Sequence, residues 1–453
     1  MNLLRNHLKK IDIDKIDKRS FNVIKNIALS VGIKGFSIVI ALLTLPVYVK
    51  YFSDKSILGI WLTLISTLGW IFTFDLGIGN GLRNKLVKLL AEKNYKVAKR
   101  YISSAYFGSM FLSILLITII FIVISQLNLV YLFNIEKSII SNATLKISIS
   151  VLLIGIILQF TLKIINSILL SMQKAALPST LTLFSNLLLL IYMLLVNPTT
   201  ISKDFIYISI IYVITTNIPL LIATIFIFKH ELKDVSPSLE FFDMGTALDT
   251  IKLGSSFLWL QIMAMLIINT NMFLITILIN PSEVIGYQIY DKLFGLVSML
   301  FTIGLTPIWS AVTDALAKRD FNWIIKTRRR IFKFLLLALV AQFAMCISSK
   351  KIIEIWMGKQ YITIGYSFPI SVAIFHILNI WSGINANIAN GLGKLKNQMI
   401  FLTIGALINI PLAYLFVKIN QTWVMIVLAN IVSLLPFCIT ETISTSRYLK
   451  KGN

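Results

Sequence analysis

The chain has 453 residues, of which 57% are hydrophobic and 13% charged, with a formal net charge of +23. Soluble domains carry about 45–50% apolar and about 25% charged residues, so a soluble globular fold is excluded: it could not hide this much apolar surface. The mean hydropathy of +0.84 fits a chain whose solvent is lipid.

In chain order, "MNLLRNHLKKIDIDKIDKRS" comes first. It sets Leu4, Leu8 and Ile11 on one helical face instead of in a continuous apolar run. Residues 1–25 therefore read as a cytoplasmic, interfacial segment, with a disordered tail as the alternative, and not as a signal peptide. Runs of about 20 apolar residues, the length that spans a bilayer, then follow. Twelve are predicted, at 26–51, 57–79, 101–125, 147–172, 178–196, 205–228, 253–279, 284–312, 331–348, 361–387, 398–417 and 421–446. The class expected is an all-α membrane protein with about twelve transmembrane helices in two six-helix lobes, residues 26–228 and 253–446. A cytoplasmic linker, 229–252, joins them, and a cytoplasmic tail, 447–453, ends the chain.

The charge says which way the spans run. With a cytoplasmic N-terminus, 30 basic residues fall on the cytoplasmic side, nine outside and three within spans. That asymmetry is the positive-inside pattern. The basicity is a topology signal and needs no nucleic-acid partner; it also draws the inner face to anionic membrane lipids. Cys346 and Cys438 lie in separate predicted spans, which argues against a disulfide framework and against a metal site.

At the end of the second run, Thr73 to Lys85 reads "TFDLGIGNGLRNK". A dinucleotide loop needs G-x-G-x-x-G between a strand and a helix. Here Gly77, Gly79 and Gly81 alternate after a helix-length apolar run, so no nucleotide cofactor is expected. The glycines are predicted to end the second span, where they permit close helix approach. The second half repeats the pattern: Gly59 corresponds to Gly286 and Gly77 to Gly304 at one offset of 227, and "LAEKNY" to "LAKRDF" after one gap. Six intervening spans make this a parallel repeat, a plan that often places a substrate between its halves. The link "KHELKDVSPSLEFFDMGTALDTIK" is broken by Pro237, with a surface helix expected at 238–244.

"SILGIWLTLISTLGWIFTFDLGIGNGLRN" resembles the second-helix pattern of bacterial polysaccharide flippases of the Wzx type, in the polysaccharide transporter family of the MATE-like MOP superfamily. The stretch "NTNMFLITILINPSEVIGYQIYDKLFGLVSMLFTIGLTPIWSAVTDAL" resembles the seventh-to-eighth-helix region of the same family. The resemblance implies two lobes around a central cavity in the inner membrane. It also implies a substrate, an undecaprenyl-pyrophosphate-linked oligosaccharide of the O-antigen or lipopolysaccharide type. That substrate moves from the cytoplasmic to the outer leaflet by alternating access, with a polysaccharide polymerase and a chain-length regulator as further partners.

Five charges fall within the spans: Lys34, Asp75, Lys163, Asp291 and Lys292. A charge at the bilayer centre costs about 2.5–3.5 kcal/mol on insertion scales, so it faces a cavity or a partner. At a rise of about 1.5 Å per residue, Lys34 and Asp75 lie about 12 and about 8 Å from the cytoplasmic edge, within reach of one another. Asp75 is assigned to gating or charge pairing. Asp291 and Lys292 diverge by about 100° on a helix and cannot easily neutralise each other. Three cations against two anions leave a positive excess that suits pyrophosphate. Lys34, Lys292, Lys163 and Asp291 are the predicted substrate-binding residues; Lys163 has the alternative of snorkelling to an interface. No catalytic residue is expected. Span seven adds Ser255, Ser256, Gln261, Asn269, Thr270 and Asn271, and span ten ends on Asn385, Asn387 and Asn390; such groups serve sugars or ordinary helix–helix bonding.

Two other classes stay open. A MATE-like small-molecule exporter fits the same pattern. A membrane glycosyltransferase or polymerase would need a sizeable outer loop with clustered carboxylates, and the outer links are short. A major-facilitator carrier fits poorly, because Asp75 is followed three residues later by Ile78 and not by glycine.

Overall fold

The computed structural model describes residues 18–452 apart from 53, 74–77, 136–138, 173, 175, 253–254 and 362–364. The predicted N-terminal segment thus lies mostly outside the described residues. So does Asp75, and so does the side chain of Lys34.

The chain is helical throughout the described regular structure. Its helices are α1 (Lys18–Tyr51), α2 (Lys55–Thr73), α3 (Ile78–Ala91), α4 (Tyr95–Gln126), α5 (Asn142–Leu162), α6 (Ile164–Ser171), α7 (Ala176–Leu195) and α8 (Ile201–Phe226). After the linker come α9 (Met244–Lys252), α10 (Ser255–Ile268), α11 (Asn271–Leu278), α12 (Glu283–Ala317), α13 (Phe321–Met357), α14 (Ser367–Gly391), α15 (Lys396–Ile419) and α16 (Trp423–Gly452). Among the described residues, eight helical runs are long and apolar enough to cross a membrane. The bent pair Leu258–Ile268 and Asn271–Leu278 makes a ninth if it is one span. Where they are described, the predicted apolar runs coincide with helix.

Polar side chains start these helices where the backbone donors would otherwise be unpaired. Asp54 Oδ1 accepts from Ser56 N (2.7 Å) and Ile57 N (3.0 Å) at α2. Asn94 caps α4, Ser141 caps α5 and Asp320 caps α13 through Trp323 N at 2.9 Å. Apolar side chains then point outward: Phe111, Ile114 and Ile122 on α4, and Phe334, Leu337 and Phe343 on α13, are all more than half exposed. A surface of this kind is a lipid surface.

Two details refine the expectation. The described part of α2 runs to Thr73, residues 74–77 with Gly77 lie outside the described residues, and Gly79 and Gly81 sit in the first turns of α3. Glycine weakens a helix through the backbone entropy it loses. In the linker, where a surface helix is expected at 238–244, residues Leu239–Phe241 form a single 3-10 turn and the α-helix follows at Met244–Lys252. Asp243 sets that start, because its Oδ2 accepts from Thr246 N at 2.8 Å and from the Thr246 hydroxyl.

Packing divides the helices into two halves. In the first, α5 packs on α4 and α8, α1 on α7, and α3 on α4 and α6; in the second, α12 and α16 pack on α14, α15 on α16, and α10 on α15. The halves share one apolar core at the end holding residues 48–61, 275–290 and 413–427, where Tyr48, Trp61, Phe205, Ile275, Tyr290 and Trp423 belong to a single cluster. Towards the opposite end the clusters are separate, with Leu86, Ile102 and Ile168 in the first half and Val312, Ile324 and Ile388 in the second.

Candidate functional site

The contact between the halves is built on α1, α2, α11 and α12. Gly59 on α2 lies so close to the 280–282 turn that a Cβ there would sit 1.7 Å from Pro281 O. One turn further, Thr63 Oγ1 and Thr276 Oγ1 are 2.6 Å apart, both fully buried. Asn134 Nδ2 donates to Ile279 O (3.0 Å), Trp70 Nε1 to Asn269 O (3.1 Å), and Lys55 Nζ stands 5.4 Å over the Tyr361 ring. The repeat partner Gly286 faces a side chain instead of a backbone turn. It admits Trp423, whose Nε1 would lie 3.3 Å from a Cβ.

A proline exposes the acceptors on α1. Pro46 has no N–H, so the carbonyl four residues back, Leu42 O, lacks its helical donor. Trp356 Nε1 of α13 supplies the missing hydrogen bond at 3.0 Å. On the neighbouring carbonyl, Ala41 O, sits Lys292 Nζ of α12 at 2.9 Å. Lys292, one of the predicted residues, is therefore at the junction of the halves and only partly buried.

Asp291 turns the other way, into the second half, as the 100° divergence on the helix requires. Its Oδ1 accepts from the Tyr287 hydroxyl at 3.1 Å and lies 3.3 Å from His376 Nε2 of α14. Tyr287 in turn accepts from Asn271 Nδ2 at 2.9 Å. The amide of Asn430 on α16 meets Asn271 Oδ1 at 2.5 Å and accepts from Asn409 Nδ2 of α15 at 2.8 Å. At the other end of the chain of contacts, Ser298 Oγ is 3.0 Å from His376 Nδ1. The result is a row of buried and partly buried polar contacts running through α15, α16, α11, α12 and α14. It forms because α12 repeats polar residues at positions 287, 291 and 298, one stripe of the helix.

Of the predicted residues, the structure thus brings Lys292 to the contact between the halves and Asp291 to the polar row within the second half. Lys163 is exposed, at the junction of α5 and α6, where its backbone N–H bonds Gln159 O at 2.8 Å. Lys34 lies within α1, on the same helix as the Ala41 acceptor. The asparagines of span ten serve packing: Asn385 Nδ2 bonds Cys438 O (2.9 Å) and Asn387 Nδ2 bonds Gly383 O (2.8 Å). Sequence reasoning missed His376. A lone histidine in "FPISVAIFHILNIW" was the available signal, and its partners are far away in sequence.

No protein-family model matches the chain. Over 372 residues, 77% of this chain and 81% of the other, it is 22% identical to a Yersinia pseudotuberculosis protein described as "Putative O-antigen export protein". Among solved structures it is similar to an inward-facing multidrug resistance MATE family transporter of the MOP superfamily, with a TM-score of 0.72, 14% identity, and 91% of this chain and 96% of that one covered. An outward-facing MATE transporter of the same superfamily is matched at a TM-score of 0.61 and 14% identity over 97% and 98% of the two chains. A MOP superfamily transporter from Pyrococcus furiosus is matched at 0.57, again at 14% identity, over 95% and 96%. The chain has their fold and is a multi-pass protein of the cytoplasmic membrane. The sequence relative bears out the resemblance to Wzx-type polysaccharide exporters.

Proposed function

We propose that the chain moves an undecaprenyl-pyrophosphate-linked oligosaccharide, the repeat unit of an O-antigen or other surface polysaccharide, from the cytoplasmic to the outer leaflet. The two halves, read as six-helix lobes within twelve spans, open alternately to either side. The observation that carries this reading is Lys292 at the junction of the halves, its ammonium held among the described residues by a backbone carbonyl. A lysine so placed offers a pyrophosphate two further donors and a full positive charge. Lys34 is assigned to the same anionic group, Lys163 is a weaker third, and Asp75 tunes Lys34. The relative described as an O-antigen exporter supports the substrate class. The shared core lies at the end that the basic residues assign to the outside, which supports a state open to the cytoplasm. A polymerase and a chain-length regulator are the partners that receive the flipped unit.

The test is surface polysaccharide at matched protein level. A hydrogen bond to a charged group contributes about 1.5–3 kcal/mol, so Lys34→Ala and Lys292→Ala each reduce export by about tenfold or more. Arginine is tolerated better than alanine, because it keeps the charge. If Lys34 only pairs with Asp75, exchanging the two restores export and removing both harms less than removing one. If Lys34 holds substrate, the double removal is as inactive as Lys34→Ala. Normal polysaccharide in both alanine strains sinks the assignment. The likeness to multidrug resistance transporters favours a second reading, export of small molecules. Under it, deletion raises drug sensitivity and leaves polysaccharide intact.

A further inference from the structure

We infer that the groove between the C-terminal turns of α16 and the start of α15 binds the headgroup of a membrane phospholipid, one that carries a phosphate and a primary ammonium together. The groove lies at the end of the second half that the basic residues assign to the cytoplasm. It holds a cavity of about 350 Å³, within the roughly 300–1,000 Å³ of small-molecule sites.

Local structure builds the walls. After α14, Gly393 takes a left-handed φ of +67°, and Lys394 N bonds back to Ala389 O at 3.0 Å. That turn suits glycine and ends the helix. The chain then enters α15 at once, so Lys394 and Lys396 both line the cavity. Lys394 Nζ stands 4.7 Å from the centre of the Tyr448 ring. On α16, Glu441, Ser444, Thr445 and Tyr448 recur at helical spacing and form the facing wall.

The charges on these walls select the ligand. Glu441 is 1% exposed, and its carboxylate accepts from Asn397 Nδ2 at 2.6 Å and from the Thr445 hydroxyl at 3.1 Å. Both donors are neutral. Among the described residues no basic side chain pairs with Glu441, although two lysines line the same cavity. A buried carboxylate calls for a cation, and this one keeps lone pairs to receive it. A primary ammonium brings three N–H donors; a quaternary ammonium brings none. Lys394 and Lys396 are exposed and offer a phosphate two point charges. A buried carboxylate behind exposed ammonium groups matches a zwitterion. A simple anion or a simple cation would use only half of the site.

The apolar edge of the cavity makes lipid the source. Ile400 lines it on α15, and Ile404 and Leu407 follow on the same helical face; all three are exposed. An acyl chain leaving the headgroup has that stripe to lie along. The two lysines precede the apolar run of α15, where a membrane interface is expected. The inference concerns the lipid around the protein and not its cargo, so it stands or falls separately from the proposed function.

Native mass spectrometry of the full-length protein in detergent gives the Kd of the first lipid bound. The probes are phosphatidylethanolamine, phosphatidylcholine, phosphatidylglycerol and free phosphoethanolamine. Phosphatidylethanolamine is expected to bind tightest, with phosphatidylcholine weaker by about tenfold for its lost hydrogen bonds to a charged group. Glu441→Gln, which keeps the shape and the bond from Asn397, is expected to erase that preference. The double variant Lys394→Ala/Lys396→Ala is expected to weaken all three phospholipids. Ser444→Trp fills the cavity with Glu441 in place and is expected to erase the preference too, which keeps the test decisive if Glu441→Gln does not fold. A preference for phosphatidylethanolamine that survives in folded Glu441→Gln or Ser444→Trp overturns the site. Equal binding of phosphatidylethanolamine and phosphatidylcholine by the unaltered protein, or a preference for phosphatidylglycerol, overturns the headgroup. Free phosphoethanolamine bound as tightly as the lipid overturns the lipid source.

Discussion

A proline inside a helix leaves one carbonyl without its donor, and in α1 that carbonyl is Leu42 O. Trp356 from the other half of the molecule occupies it at 3.0 Å. Replacing Trp356 by phenylalanine keeps most of the packing but strands a carbonyl, at a cost of about 1–3 kcal/mol when buried. Changing Pro46 to alanine returns an N–H that competes for Leu42 O. The double variant Pro46→Ala/Trp356→Phe is therefore expected to be more stable than Trp356→Phe alone, measured by thermal unfolding in detergent. A double variant less stable than Trp356→Phe contradicts the account. At this scale the charged pair Asp291–Lys292 was readable, because any charge in an apolar run calls for a partner. Trp356 and His376 were not, because an aromatic or a lone histidine in such a run reads as core.

Between elements, close approach is set by glycines that face backbone. A Cβ on Gly405 of α15 would lie 2.5 Å from Ser433 O of α16, and one on Gly155 of α5 would lie 2.2 Å from Val213 Cγ2 of α8. Overpacking of this kind costs about 1–3 kcal/mol. Both Gly405→Ala and Gly155→Ala are expected to lower the melting temperature, since neither the Ser433 carbonyl nor Val213 Cβ, 2.8 Å from the added carbon, can rotate away; an unchanged melting temperature in either argues against it. The linker is strapped to the first half: Ser238 N and Asp243 N donate to Ser103 Oγ and Ser104 Oγ, each at 3.0 Å, and Lys99 lies 4.7 Å from the Phe241 ring. The Thr246 hydroxyl and then its N–H hold the Asp243 carboxyl below the usual carboxylate range, aided by Arg100. A depressed folded value means the contribution is full above the ordinary carboxylate range and is lost as pH falls through that lower value. Hydrogen exchange at the Thr246 amide is accordingly expected to lose protection only in acid, and Asp243→Ala to abolish that protection at neutral pH. An amide equally protected in the variant removes the cap from the explanation.

For the whole molecule, the single core shared by both halves at one end is what makes the contact a hinge or a seal. Cysteines at Thr63 and Thr276, whose hydroxyls are 2.6 Å apart, are placed to crosslink under mild oxidation. The bridged protein is expected to stay folded and to stop exporting, with export restored by reduction; full export by the oxidised form excludes movement at this contact. Topology has its own check. Cysteines at positions 93 and 326 are expected to resist impermeant reagents added to intact cells, and rapid labelling there reverses the orientation.

The amino-acid sequence by itself determined the solvent, the helical class and the approximate spans, because each of these depends on local apolar content and on charges near helix ends. It also marked Gly59, Asp291 and Lys292 as residues that an unconstrained lipid-facing helix would not keep. Only the tertiary structure decided what they touch. Gly59 meets Pro281, Lys292 meets a carbonyl 251 residues away, and Asp291 meets a histidine on another helix. Such pairings depend on the rotation and depth of each helix against its neighbours. Those are set by many weak packing contacts at once, and no stretch of sequence encodes them locally.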